Sequence, residues 1–273
     1  MSDIVGFIGL GNLGLPMATN LLDAGYSLLA HNRTPGKADP LVAQGARLAP
    51  RPVDAVITGG IVVTVVWDDA ALESVVMGDG FLERLGPGGL HLSMSTVSPD
   101  MSRKLAALHA RHGSAYVEAP IFGRPEAAVA HKLWIPCAGP QLAKERVRPL
   151  LVAMGAQGIF DFGEEVGAAN IVKLVGNFLI ISASHSLREA LAMAERNGVD
   201  PKAVVTMLTQ TLFPSPIYQS YGTMIAEKSA PFGQSKIPLK DIGLFKNTAR
   251  QVESPTPIAS HLYDLLSGDV GRA

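Results

Sequence analysis

A single cysteine, Cys137, stands in the 273 residues, so no internal disulfide framework is available to hold the fold, and this usage fits a reducing compartment. No Cys/His cluster has zinc-ligand spacing, and no metal is expected. Charge of one sign is missing too. The 23 Lys and Arg against 24 Asp and Glu leave a formal charge of −1, which gives no electrostatic reason to expect a nucleic acid or an anionic membrane as partner. Apolar stretches are broken by charge or by Asn, His and Ser before they reach the roughly 20 residues of a membrane span, so no membrane helix is expected. The first strand begins almost at once and leaves no room for a signal peptide; the expectation is a cytoplasmic protein. Apolar residues, at 47%, are plentiful, in a chain long enough for two domains or one large one.

The apolar run Ile4-Val5-Gly6-Phe7-Ile8 leads into Gly9-Leu10-Gly11-Asn12-Leu13-Gly14, and a helical run follows to about Gly25. A strand, a glycine turn and a helix in that order make a dinucleotide-binding start. The first glycine permits the turn, the second lets backbone approach a pyrophosphate, and the third lets helix and strand pack closely. Amides at the helix start then face the anion.

Strand-like and helical runs alternate over the first 160 or so residues, the pattern of a doubly wound α/β sheet. Val5–Ile8, Ser27–His31, Ile61–Val66, Leu90–Met94 and Ala115–Glu118 read as core strands. Leu133–Ala138 and Gly158–Phe162 read as two more. Helical spacing marks Pro16–Ala24, Asp69–Val76, Pro99–His112 and about 140–154. After Gly163 the pattern is helix alone, beginning with a run over Glu164–Asn197 that Gly198 and Pro201 stop. Four shorter helices follow, near 202–210, 218–226, 240–251 and 258–266. Two domains are expected, 1–163 for the cofactor and 164–273 all-helical.

Three clusters carry chemistry. An acidic residue normally accepts the ribose hydroxyl of NAD about 20 residues beyond the glycines, but here the second strand ends in His31-Asn32-Arg33-Thr34. Arg33 can pair with a 2′-phosphate and Thr34 can add a hydroxyl, which favours NADP(H); an ordinary turn arginine in solvent is the alternative. Lys173 sits in the apolar run Ala168–Ile181, a helix expected to be buried. A buried ammonium has its pKa lowered by desolvation, which suits a proton donor, whereas a lysine that extends to water along its own methylenes is the plainer reading. Asn177 lies one turn later. Ser93-Met94-Ser95-Thr96-Val97-Ser98-Pro99 closes a core strand at the edge where open α/β sheets bind ligands; its hydroxyls can hold a ribose or substrate, or Ser98-Pro99 can simply start a helix.

These segments together resemble the β-hydroxyacid dehydrogenase family, which includes 3-hydroxyisobutyrate dehydrogenase, tartronate semialdehyde reductase and glyoxylate/succinic semialdehyde reductase. The resemblance runs through GFIGLGNLGLPMATNLL, STVSP at 95–99, EAPIFGRPEAAVAHKL at 118–133, GAANIVKLVGN at 167–177 and PLKDIGLFKNTA at 238–249. It implies a Rossmann domain joined by a long helix to an all-α domain, an active site in the cleft between them, and a homodimer or homotetramer. It makes Lys173 the general acid/base and Asn177 its partner. Thr96, Lys240, Val66 and Trp67 become cofactor-side residues, and Ser95, Phe122, Gly123 and Arg124 substrate-side ones; Arg124 either reaches an anionic group of the substrate or belongs to a surface turn with Pro125, with Phe122 then turning the pocket toward apolar substrates.

The departures fall on the substrate. Phe122-Gly123-Arg124 stands where the family usually reads Ser-Gly-Gly, His131 replaces a usual glycine, and Trp67-Asp68-Asp69 replaces a Met-Leu-Pro-like turn. The leading expectation is NADPH-dependent reduction of a small aldehyde or keto acid. An imine reductase on the same scaffold is the alternative, against which Lys173 argues, since that group commonly lacks the lysine; a non-catalytic NADP-binding protein is the third reading. Phe178-Leu179-Ile180-Ile181 with Leu187 and Leu191 supplies more apolar surface than one helix face can bury, which also points to an oligomer.

Overall fold

The computed structural model describes residues 4–78, 80–229 and 236–268. The chain divides into two compact units, residues 1–173 and 174–273.

The first unit is built on six parallel strands: β1 (Ile4–Ile8), β2 (Ser27–His31), β3 (Arg47–Leu48), β4 (Ile61–Thr64), β5 (Leu90–Ser93) and β6 (Ala115–Glu118). Their order is β3-β2-β1-β4-β5-β6, so the winding reverses between β1 and β4, the switch point at which a Rossmann sheet opens a crevice. The helices among these strands are α1 (Gly14–Asp23), α2 (Asp39–Ala43), α3 (Asp69–Val76), α4 (Phe81–Leu85) and α5 (Pro99–Arg111). Side chains alternate between two apolar layers, as the pleat requires: Phe7, Val63 and Val117 enter one, and Ile8, Val62 and Tyr116 the other. Both faces of the sheet are therefore covered. Beyond it, α6 (Pro125–Val129) precedes a separate two-stranded parallel sheet, β7 (Leu133–Cys137) and β8 (Ala156–Asp161), joined through α7 (Gln141–Ala153).

His131, just before β7, takes φ +53°, a left-handed conformation that glycine adopts freely and a histidine only at a cost of roughly 1 kcal/mol. The family's usual glycine at this position thus has a backbone reason, and this chain carries the strain.

α8 (Ala168–Arg196) begins four residues later than the sequence expectation, because Gly167 sits at φ +110°, outside any helix. The helix-only pattern begins after Gly163, but the compact division comes after Lys173, because the first turns of α8 are hydrogen-bonded to the sheet unit. The second unit continues with α9 (Pro201–Gln210), α10 (Pro216–Ala226), α11 (Ile237–Gln251) and α12 (Pro257–Ser267). Ile181 of α8, Ile242 of α11 and Ala259 and Leu262 of α12 form its core, and Phe178 stacks on Phe245 with ring centroids 4.5 Å apart.

The expectation that α8 is buried all round is corrected. Ile171, Val175 and Leu179 lie exposed along one side, Leu179 at 59%. Conversely Ile181, Leu187 and Leu191, assigned from the sequence to an intersubunit surface, are buried within the chain. By length and composition α8 is apolar enough to span a membrane, but Asn170, Lys173 and Asn177 within it bond or pack against protein groups, as in a helix packed in protein.

Candidate active site

The glycine turn is dictated by contact. A side chain at Gly9 would meet the Val65 carbonyl oxygen at 2.1 Å, and one at Gly14 would meet the Gly9 carbonyl oxygen at 1.9 Å. Around Gly11 there is open space, as backbone approach to a pyrophosphate requires. The turn is tied at its root, where Gly9 N donates to His31 O and Leu10 N donates to Asn32 Oδ1, both at 2.9 Å. Leu13 caps α1 with no side-chain hydrogen bond, and no acidic residue occupies the first turn. Beyond Leu10 the loop therefore offers amides with no side-chain partner among the described residues and no repelling charge, and it fits an anionic dinucleotide.

Asn32 is doubly used, because its Nδ2 also donates to Thr34 O at 2.8 Å. One end of its carboxamide ties the glycine loop to the end of β2 and the other braces the turn through Thr34, a role hidden in the sequence. Arg33 and Thr34 beside it are exposed. At the ends of β4 and β5, Ser95 is buried and its Oγ accepts from Val66 N at 2.9 Å, fixing the backbone that leads to Trp67, which is 49% exposed. Thr96 is half-buried. Ser98 is resolved as a helix start: its Oγ accepts from Met101 N and donates to Asp69 Oδ2.

Phe122 pairs with Trp134 through two backbone hydrogen bonds of 2.8 and 2.9 Å. Gly123 takes φ +153°, and a Cβ there would lie 2.4 Å from Leu133 Cδ2, so a side chain would be strained and would force Leu133 to shift. Arg124 is exposed at the start of α6. The pairing aims the Phe122 ring at Lys173, whose Nζ lies 4.2 Å from the ring centroid in a cation–π contact. Lys173 is 8% exposed, so the snorkelling alternative gives way to an ammonium held against protein.

In the first unit the structure thus gathers the glycine loop, Asn32 to Thr34, Val66, Trp67, Ser95, Thr96 and Phe122 to Arg124 beyond the carboxyl ends of one parallel sheet, with Lys173 over Phe122. The second unit holds a cluster of its own. Asn177 Nδ2 donates to Asp241 Oδ2 at 2.6 Å, and Lys240 Nζ lies 2.8 Å from Asp241 Oδ1 as an ion pair. Asp241 is buried, and sequence reasoning missed it although it adjoins Lys240. It also missed Glu118 and Asn170, both buried, where Asn170 Nδ2 donates to Glu118 Oε2 at 2.8 Å. A polar residue in an otherwise apolar helix turn was the available signal.

Residues 4–176 match the family described as the NAD binding domain of 6-phosphogluconate dehydrogenase, and residues 167–268 the one described as NAD-binding of NADP-dependent 3-hydroxyisobutyrate dehydrogenase. The chain is 43% identical over 258 residues to the uncharacterized oxidoreductase YfjR of Bacillus subtilis (strain 168), covering 93% of this chain and 90% of that protein. It is 32% identical over 274 residues to the NAD-dependent L-serine dehydrogenase of Pseudomonas aeruginosa, covering 96% and 91%. In fold it is similar to the Mycobacterium tuberculosis 3-hydroxyisobutyrate dehydrogenase solved with L-serine, with a TM-score of 0.85, 24% identity, and coverage of 100% of this chain and 95% of that one. With an open glycine cradle on a Rossmann sheet and both family descriptions matched in sequence, the chain belongs to the β-hydroxyacid dehydrogenase family and is an NAD(P)-binding oxidoreductase of the 3-hydroxyisobutyrate dehydrogenase type.

Proposed function

We propose that the protein is an NADP(H)-dependent reductase of small aldehydes or keto acids, with Lys173 as the proton donor. The observation that carries this reading is the placement of Lys173, a buried residue whose ammonium lies against the Phe122 ring on the unit that bears the glycine cradle. The cradle amides would hold the pyrophosphate, Arg33 and Thr34 would take the 2′-phosphate, and Val66, Trp67 and Thr96 are assigned to the cofactor side. NADPH held there would supply the hydride that reduces the carbonyl carbon. Lys173 delivers a proton to the carbonyl oxygen, which stabilises the charge that develops there, and Asn177 and Lys240 are assigned to the same reaction. Phe122 and Gly123 give the substrate a close apolar wall, and the donors of Arg124 serve the carboxylate of keto acids. The exposed Ile171, Val175 and Leu179 are assigned to contact with a second copy of the chain.

NADPH consumption against a panel of aldehydes, keto acids and cyclic imines tests the assignment. Carbonyl substrates are expected to turn over, and Lys173→Ala should lower kcat by roughly a hundredfold or more while NADPH still binds. Turnover of imines alone, or normal turnover by Lys173→Ala, overturns it.

A further inference from the structure

We infer that Asn170 and Glu118 form a positioning clamp that ties the first turn of α8, and with it Lys173, to the end of β6 and to the loop that carries Ser95 and Thr96. The clamp rests on the reading of Lys173 as the proton donor. Glu118 ends β6 with its side chain fully buried. Its Oε1 accepts from Gly167 N at 2.7 Å and Ala169 N at 2.8 Å, with a longer contact of 3.5 Å from Asn170 N, so the carboxylate closes the start of α8. Anions are favoured there, because the first turn of a helix leaves its amides unpaired.

Asn170 spends its whole side chain on the same junction. Nδ2 donates to Glu118 Oε2 at 2.8 Å and to Ser102 Oγ of α5 at 3.1 Å, while Oδ1 accepts from Val97 N at 3.2 Å. Three segments meet at this one amide: the end of β6, α5, and the loop that carries Ser95 and Thr96. Lys173 follows three residues later on the same helix, so the rotation of this first turn decides where its ammonium goes.

Apolar groups of the same volume would fill such a junction without desolvating a carboxylate and a carboxamide. They would also let the helix slide, because apolar contact has no direction. Hydrogen bonds fix both the height and the rotation of the turn, and proton transfer is sensitive to displacements of about 1 Å. Retention of a fully satisfied polar cluster at this place is what a fixed proton donor needs.

An exchange of charge between the two residues tests the clamp. Glu118→Gln alone sets two NH₂ groups face to face, and Asn170→Asp alone sets two carboxylates face to face. In the double exchange the new amide donates to the new carboxylate, whose other oxygen still accepts from Val97, and Ser102 turns its hydroxyl to donate. Each single exchange is expected to lower kcat by about tenfold or more at a temperature well below its own Tm, with NADPH affinity within about threefold of the parent; the pair together is expected to recover kcat to within about threefold. Ser102→Ala, which removes one acceptor, should lower kcat by about threefold and covers the case in which a single exchange fails to fold.

Single exchanges or Ser102→Ala that lower Tm but leave kcat unchanged would make the cluster merely structural and overturn the inference. So would a double exchange that recovers Tm without kcat. Lys173→Ala run alongside separates the two ideas: normal activity there removes the proton-donor reading, whereas an inactive Lys173→Ala beside fully active clamp variants removes the clamp alone.

Discussion

The side chain of Asn32 is committed at both ends, to Leu10 N and to Thr34 O, so the loop is braced by an uncharged group where a carboxylate would repel a 2′-phosphate. Arg33 beside it is exposed and has no ion-pair partner among the described residues. A charge-assisted contact to phosphate is worth on the order of 1.5–3 kcal/mol, enough to decide between the two dinucleotides. Arg33→Ala is therefore expected to weaken NADPH binding by roughly tenfold or more while sparing NADH, read by calorimetric titration of both cofactors. Equal affinity of the unmutated protein for the two would sink the assignment.

Between β5 and α5 runs a buried chain of hydrogen bonds whose direction can be worked out. Ser114 Oγ donates to His109 O, so it accepts from His109 Nδ1 at 2.9 Å. His109 Nε2 then accepts from His91 Nδ1 at 2.9 Å, and His91 Nε2 accepts from Thr64 Oγ1 at 2.8 Å. Both rings are neutral in this arrangement; a proton on His109 Nε2 would set it donor against donor with His91 Nδ1, and a proton on His91 would leave a charge fully buried. Burial, then the neighbouring His112, pushes His109 down to about 4, and burial, then His109, holds His91 well below the ordinary histidine range. A histidine depressed in the fold binds protons more readily when unfolded, so this stabilisation is present above about pH 6.5 and is lost as the pH falls toward 4. For His109 the loss amounts to about 2 kcal/mol by pH 5. Urea midpoints should fall accordingly between pH 7.5 and pH 5, and His109→Gln should flatten that slope. A parent protein equally stable at both pH values would contradict this account of the pair.

For the whole molecule, α8 leaves Ile171, Val175 and Leu179 exposed at intervals of four residues, a stripe that water disfavours. Light scattering at micromolar concentration is expected to give a dimer or larger assembly, and Leu179→Glu to shift it toward monomer by burying a charge in the interface. A parent protein that runs only as monomer would leave the stripe without its assigned cover. Phe178 and Ile181, on the same helix, are not free for such an interface, since they pack on Phe245 and in the core of the second unit.

The buried core strands and the longer helices were legible from residue order because their signals are local. Ser27–His31, Asp69–Val76 and Ala115–Glu118 appear with the expected bounds, and the three glycines sit where turn and close packing demand them. The short helices α2, α4 and α6 and the two-residue β3 were not, since a helix of five residues makes little more than one turn and two residues show no alternation, too little period to separate either from loop. Within the site, Lys173 stood out as a charge in an apolar run. Its cation–π partner, the second bond of Asn32, and the joining of Asn177 to Asp241 across 64 positions did not. Those pairings depend on which distant residues the folded backbone brings within hydrogen-bonding reach, and composition and spacing hold no record of that distance.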